Sequence, residues 1–335
     1  MKWRTSLYRY SHKLTILGKL VYWQNASVDP RHDRIVLPMG TPSQSPAFEL
    51  LFDHAEPSPF SDEAFAPYGN FGFPPPPADR PWIYTNFVQS LDGITSLLGK
   101  YASGGDISQS PADRWLMDLL RAHADGLIMG MNTVREEQRI RGPESRGIVF
   151  QAVEPELLEL RNKLGKGRQR NIFVTRAIDL DLSRLKCFDG DAVDVAVVTS
   201  PAGADRLRSQ TSHPHVAVVE AGTGETLDLC AAVQKLRTEH GVKYLLCEGG
   251  PTLYGNLARA DLVDEKFITV SPLEIGQQVP PEQERLPREL GISPLLRPTV
   301  FSGPGFTRDT MTRWTWLSCR KSGDHQFNRY RRKRG

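Results

Sequence analysis

Tyr244-Leu245-Leu246-Cys247-Glu248-Gly249-Gly250-Pro251-Thr252-Leu253 decides the fold. Tyr244 to Cys247 is a short apolar run that reads as a buried strand. Pro251 fits the first position of a helix, so a strand passes through two glycines directly into a helix. Such units build α/β sheets, and ligands of open α/β sheets sit at the carboxyl ends of the strands. Glu248 stands at that end. Gly249 and Gly250 let the backbone approach a ligand closely, and the helix start offers free N–H groups to a phosphate. The same residues also fit a plain strand–turn–helix with a carboxylate on the surface.

The texture around this stretch repeats its logic. Trp82 to Val88 is rich in aromatic and β-branched residues and reads as a strand. Leu127 to Met129, Ile172 to Val174, Val195 to Val198, Val216 to Val219 and Lys266 to Val270 read likewise. Between them, Ser110 fits an N-cap, Pro111 a first helical position and Asp113 the far corner of a capping box. Trp115, Leu116, Leu119 and Leu120 give that helix one apolar face. A second helix is expected over Glu225 to His240, stopped by Gly241. Strands alternating with helices predict a mostly parallel sheet with helices on both faces. Two last strands, Arg313 to Ser318 and His325 to Tyr330, predict a C-terminal antiparallel edge.

Residues 1–79 differ. They hold many prolines, end in Pro74-Pro75-Pro76-Pro77 and contain few long apolar runs, which predicts a Pro-rich N-terminal extension attached to a main body over 80–335. The 335-residue chain is 39% apolar and 24% charged, an ordinary balance for a globular protein. A net charge of +3 does not call for a polyanionic partner, so no nucleic acid is expected. The apolar stretch Leu14 to Trp23 is broken by Lys19 and is too short to span a bilayer. A cytoplasmic protein with no membrane partner is the expectation. Cys187, Cys230, Cys247 and Cys319 are scattered, with no C-x-x-C pair, which fits reduced thiols and no metal site. His54-Ala55-Glu56 matches half of a zinc deaminase signature, but its cysteine half is missing.

Two further strand ends carry candidate binding groups. Gly130-Met131-Asn132-Thr133 is a strand-to-helix turn whose hydroxyl and N–H groups fit a phosphate or ribose, or in which Thr133 serves as an N-cap. Thr175-Arg176 ends another strand. Arg176 fits a contact with a 2′-phosphate, or a solvated surface position. No P-loop and no complete G-x-G-x-x-G is present.

Three blocks in order resemble the reductase domain of the RibD family of riboflavin biosynthesis. They are Gln89-Ser90-Leu91-Asp92-Gly93, then Ser103-Gly104-Gly105 through Leu119-Leu120-Arg121-Ala122 to Thr133-Val134, then Glu248 to Leu253 followed by Leu262-Val263-Asp264-Glu265 and Ser271-Pro272. The resemblance covers about residues 80–335 and implies a dihydrofolate-reductase-like fold, a homodimer and NADPH as cofactor. It implies reduction of the ribosyl chain of 5-amino-6-(5-phosphoribosylamino)uracil, a phosphorylated pyrimidine, by the branch without a deaminase domain. The alternatives are a reductase of another pteridine- or pyrimidine-like substrate and a nucleotide-binding module without turnover. Carried over by position, Gly130, Thr133, Gly249, Gly250, Pro251, Thr252 and Leu253 line the cofactor site, with Thr175 and Arg176 beside its adenosine end. Glu248 and Asp92 are the expected catalytic carboxylates. Arg121 is expected to grip substrate phosphate, and Ser103 to lie on a loop over the substrate. Ile94 departs from the pattern, since a basic residue often follows S-L-D-G in that family.

Overall fold

The computed structural model describes residues 15–16, 19–20, 27–29, 34–36, 46–56, 67–69, 71–97, 104–142, 144–176, 182–210, 215–276, 299–301 and 303–334. The chain divides into two compact units, 1–44 and 45–335. In the first, β1 (Thr15–Ile16) pairs antiparallel with β2 (Lys19–Leu20), and β3 (Ser27–Asp29) with β4 (Arg34–Val36).

The second unit is built on one ten-stranded sheet. Its strands in chain order are β5 (Glu49–Asp53), β6 (Trp82–Gln89), β7 (Gly126–Gly130), β8 (Arg170–Val174), β9 (Asp194–Thr199), β10 (Val216–Glu220), β13 (Tyr244–Cys247), β14 (Glu265–Val270), β15 (Arg313–Ser322) and β16 (His325–Lys333). A small hairpin, β11 (Gly222–Thr223) with β12 (Thr226–Leu227), lies outside it. Spatial order is β10-β9-β8-β7-β13-β6-β14-β16-β15-β5. From β10 to β14 every pairing is parallel, and from β14 to β5 every pairing is antiparallel. The expected mostly parallel sheet with an antiparallel C-terminal pair is therefore present. Its outermost strand, however, is β5.

Period-two alternation explains the layers. Tyr84, Leu127, Met129, Phe173, Val195, Val197 and Leu246 face one core, with Trp115 and Leu116 of α2 (Pro111–His123) and Leu157 and Leu160 of α4 (Pro155–Lys163). Ile83, Ile128, Ile172, Ala196, Val198 and Leu245 face the other. There they meet Val233 and Leu236 of α6 (Leu229–Thr238) and Leu253 and Leu257 of α7 (Pro251–Arg259). The remaining helices are α1 (Gly104–Ser108), α3 (Met131–Arg141) and α5 (Pro201–Gln210). The carboxyl end of α2 is closed from outside. Arg161 of α4 is buried and donates to the carbonyls of Arg121, Ala122 and Ala124, at the end where helix carbonyls run out of partners, and Arg121 O also accepts from Ala124 N at 3.2 Å.

The expected boundary at residue 79 falls inside this unit. β5 adds to the sheet through β15. Phe48 packs edge-on against Phe327 at 5.0 Å, and Phe71 is fully buried between Phe267 and His123. Asp53 holds the buried Arg320 guanidinium at 2.6 Å. The four prolines do run without ladder bonds, but the Pro74 and Pro77 carbonyls accept from the Tyr244 hydroxyl and Arg237.

Two local expectations also change. The helix expected from Glu225 begins at Leu229, capped by Asp228, whose carboxylate accepts from Ala231 N at 3.0 Å. Gly222 has φ +103°, and a Cβ there would lie 2.1 Å from the Thr226 carbonyl oxygen, so the chain folds as the β11–β12 hairpin instead. The capping box at Ser110 is half formed. Ser110 Oγ accepts from Asp113 N at 3.4 Å, but the Asp113 carboxylate turns away to the Thr269 hydroxyl.

Candidate active site at the carboxyl ends of the parallel strands

β7 and β13 are neighbours, and their helices leave on opposite faces of the sheet. Val134 of α3 packs into the α2 core, and Leu253 of α7 into the other. The chain thus parts between the two strands, which is the kind of crevice where open α/β sheets hold ligands. Gly130 N donates to Gly249 O at 3.1 Å and ties the two turns together. A Cβ on Gly250 would meet Thr133 Oγ1 at 3.8 Å. Neither Gly130 nor Gly250 caps its helix with a side chain, so two helix starts open on one crevice with their first N–H groups available. Gly249 has φ +111°, a conformation that favours glycine, and the Gly249–Gly250 peptide is cis. Pro251 and Thr252 are exposed at this opening. Leu253 is 6% exposed and turns into the core, so only its backbone faces the turn.

Beside the crevice, Glu248 and Arg121 meet. Nε donates to Oε1 and Nη2 to Oε2, each at 2.7 Å. Arg121 is 5% exposed, and its Nη1 also reaches Gln151 O and approaches Asp118 at 3.5 Å. Burial by itself lowers the Arg121 pKa, but the Glu248 and Asp118 carboxylates outweigh it and the net shift is upward. Burial raises Asp118, against the pull of Arg121 and Arg114. The sequence reading placed the Arg121 fork on substrate phosphate. In the structure that fork meets Glu248, a partner that suits a planar two-point donor. Asp118 was missed, although its i,i+3 spacing from Arg121 on one helix is a readable signal. The part played by the Gln151 carbonyl has no such signal.

Asp92 is occupied as well. Its Oδ1 accepts from Ser90 Oγ at 2.5 Å and Ile275 N at 3.2 Å, and its Oδ2 from Gly276 N at 2.8 Å. The Ser90 hydroxyl and these amides hold its carboxyl below the usual value. The expected catalytic carboxylate thus ties the turn after β6 to the loop after β14. Ile94, where the resemblance expects a basic residue, is fully buried, so its side chain does not face the cleft. Asn86 lies on β6 on the same face as Tyr84, and Glu248 comes level with it, because Cys247 pairs with Thr85. The Asn86 Oδ1 is buried and has no hydrogen-bond partner among the described residues.

Thr175 and Arg176 follow β8, which adjoins β7 on the far side from β13. Thr175 N donates to Val198 O, and the Arg176 carbonyl accepts from Arg206, while the Arg176 residue is exposed. Ser103 lies outside the described residues. Cys187, Cys247 and Cys319 are buried and Cys230 is exposed. Glu56 of the His54-Ala55-Glu56 segment pairs with Arg331 at 2.8 Å. Among the described residues no group of three or more His, Cys, Asp or Glu side chains could hold a metal ion, and no helix is long and apolar enough to cross a membrane.

Against known proteins, the RibD C-terminal domain matches residues 81–324. The chain belongs to that family. Two curated members of similar sequence are 2,5-diamino-6-ribosylamino-4(3H)-pyrimidinone 5′-phosphate reductases. That of Archaeoglobus fulgidus is 29% identical over 198 residues, 59% of this chain and 83% of the relative. That of Methanothermobacter thermautotrophicus is 24% identical over 197 residues, 59% of this chain and 80% of the relative. The RibD-type fold is also found in a pyrimidine reductase-like protein from Corynebacterium diphtheriae. It aligns with a TM-score of 0.57 at 22% identity, over 77% of this chain and 94% of that one. Acinetobacter baumannii RibD aligns with a TM-score of 0.51 at 18% identity, over 76% of this chain and 59% of that one. The RibD match begins at Pro81, so β5 and the aromatic residues packed beneath it lie ahead of the matched segment.

Proposed function

We propose that this RibD-family chain is an NADPH-dependent reductase of a phosphorylated ribosylaminopyrimidine, acting on the sugar chain in riboflavin biosynthesis. The observation that carries the reading is the crevice between β7 and β13. Two helix starts without side-chain caps, at Gly130 and Gly250, open on it beside the Arg121–Glu248 pair. Backbone N–H groups of this kind suit a dinucleotide phosphate. The absent side chain at Gly250 leaves the space in front of Thr133 for it. When bound, the cofactor supplies the hydride, and the protein supplies position and electrostatics.

In this reading Gly130, Thr133, Gly249, Gly250, Pro251, Thr252 and the backbone of Leu253 hold the cofactor, and Thr175 with Arg176 meets its 2′-phosphate. Glu248, fixed by Arg121, forms a rigid wall on the substrate side, and its remaining lone pairs accept from substrate hydroxyl or amino groups. Orientation is the protein's main contribution, because a displacement of about 1 Å can cost on the order of a hundredfold in rate. Asp92 acts at one remove, by fixing the turn that carries the end of β6. The working form is a cytoplasmic homodimer.

The test is NADPH oxidation followed with the diaminopyrimidinone and aminouracil ribosylamino phosphates as substrates. Turnover of either supports the reading. Binding of NADPH without turnover of both overturns it in favour of a nucleotide-binding module.

A further inference from the structure

Lys266 is the second residue of β14, at the opposite end of that strand from the crevice. Its side chain crosses to the α7 face of the sheet. There Nζ lies 4.1 Å from the Trp314 ring centroid and 5.2 Å from that of Tyr254. Phe301 and Phe306 pack into the same cluster. Among the described residues no carboxylate pairs with this amine and no acceptor takes a hydrogen bond from it. The charged group that faces it from β16 is another cation, Arg332, whose own partner is Asp261 at 2.7 Å. On α7, Arg259 stands 5.1 Å over the Phe301 ring, and the buried Tyr254 hydroxyl is kept neutral by an upward shift.

An ammonium in such a place has lost water without gaining an anion. Burial first, and Arg332 second, bring the Lys266 pKa down to about 8. The ring faces favour the cation, but they do not replace a counter-ion. With a pKa near 8 about a fifth of the amine is neutral at pH 7.4, against roughly a thousandth for an ordinary lysine. The structure therefore offers a half-buried amine that is partly neutral near pH 7, a flat aromatic wall and, beside them, the Arg332 guanidinium, whose charge is shared with Asp261.

We propose that Lys266 is a covalent capture site for small anionic aldehydes. The amine lone pair attacks the carbonyl carbon and a proton moves from nitrogen to oxygen. Loss of one water leaves an imine between Nζ and the former carbonyl carbon. The negative group of the ligand faces Arg332, and an aromatic ligand lies against Trp314. No redox partner is needed, and the step reverses by addition of water. The site is separate from the cleft at Gly249–Gly250 and does not depend on the reaction assigned to it.

Pyridoxal 5′-phosphate is the probe, with cyanoborohydride to fix the imine and peptide mapping to locate it. The expected result is preferential labelling of Lys266, with half-maximal rate near pH 8, lost in Lys266→Met, which keeps the apolar stem without the amine. Labelling of exposed lysines such as Lys163 and Lys321 at the same rate or faster, or a half-maximum near pH 10 at Lys266, overturns the proposal. The wild-type map decides the matter even if the methionine variant does not fold.

Discussion

Arg121 and Glu248, 127 residues apart in the chain, form a two-point ion pair at 2.7 Å in which both partners are nearly excluded from water. Each member satisfies the other, so the pair is a fixed wall of the cleft before it is anything else. Removing one member of a buried pair leaves the other unpaired, at a cost of about 3–5 kcal/mol. Glu248→Gln keeps one neutral acceptor and is expected to cost less, about 1–3 kcal/mol. Arg121→Met is expected to be the worse of the two, and Arg121→Met with Glu248→Met to recover much of that loss. Urea unfolding of the four proteins checks this. An unchanged midpoint in Glu248→Gln shows that the pair is not structural. If Glu248→Gln also loses turnover per folded molecule while NADPH still binds, the carboxylate has a role at the substrate beyond its partner.

Gly250 gives a separate handle on the cofactor. A methyl at this position meets Thr133 Oγ1 at 3.8 Å, an ordinary contact, and its φ of −74° suits any residue. Gly250→Ala is therefore expected to fold normally while narrowing the space between the two helix starts. A rise of about tenfold in the NADPH dissociation constant is expected, equivalent to about 1.4 kcal/mol. Calorimetric titration with a melting curve on the same sample separates the two effects. Unchanged affinity removes Gly250 from the cofactor site.

In the proposed reading, cofactor preference rests on Arg176. Its backbone is held by Arg206, and the residue is exposed beyond the end of β8. A guanidinium in that place attracts the 2′-phosphate that distinguishes NADPH from NADH. Arg176→Ala is expected to raise the NADPH dissociation constant about tenfold and to leave NADH unchanged. Equal losses for both cofactors place the adenosine end elsewhere.

The parallel half of the sheet was legible because its signal is local. Alternation along each strand sorts Ile83 from Tyr84 and Leu245 from Leu246, and each glycine turn announces the helix that follows. β5 carried no such signal. Leu50 and Leu51 are both more than half exposed, so Glu49–Asp53 shows neither strict alternation nor a buried run. Its place is set by distant partners, Arg320 for Asp53 and Phe327 for Phe48. The same limit applied in the site. The Gly249–Gly250 and Gly130–Thr133 turns were found and do converge. That Asp92 closes on Ile275 and Gly276, and that Arg121 and Glu248 occupy each other, depends on tertiary approach that one segment cannot encode.

His123 reports on that tertiary approach and gives the chain a defined acid response. It lies at the end of α2, packed against Phe71 at 4.4 Å, with Nδ1 set 2.9 Å from the Leu119 carbonyl oxygen. Burial, and then the positive charges of Lys166, Arg329 and Arg161, push its pKa down to about 3, against a partial opposing effect of the Leu119 carbonyl. In the unfolded chain an unperturbed histidine titrates near 6.5. Between these values the unfolded chain binds a proton that the folded chain refuses, so stability rises with pH across the window. The contribution is fully present above about pH 6.5 and is lost progressively as pH falls towards 3. The expected outcome is a fall in melting temperature from pH 7 to pH 4 that is markedly smaller in His123→Phe, which keeps the aromatic contact with Phe71 but cannot take the proton. Because Phe71 belongs to the segment before β6, acid is also expected to release residues 71–76 from the core, seen as early proteolysis there in the wild type but not in His123→Phe. Parallel pH profiles for the two proteins mean that another group governs the acid transition.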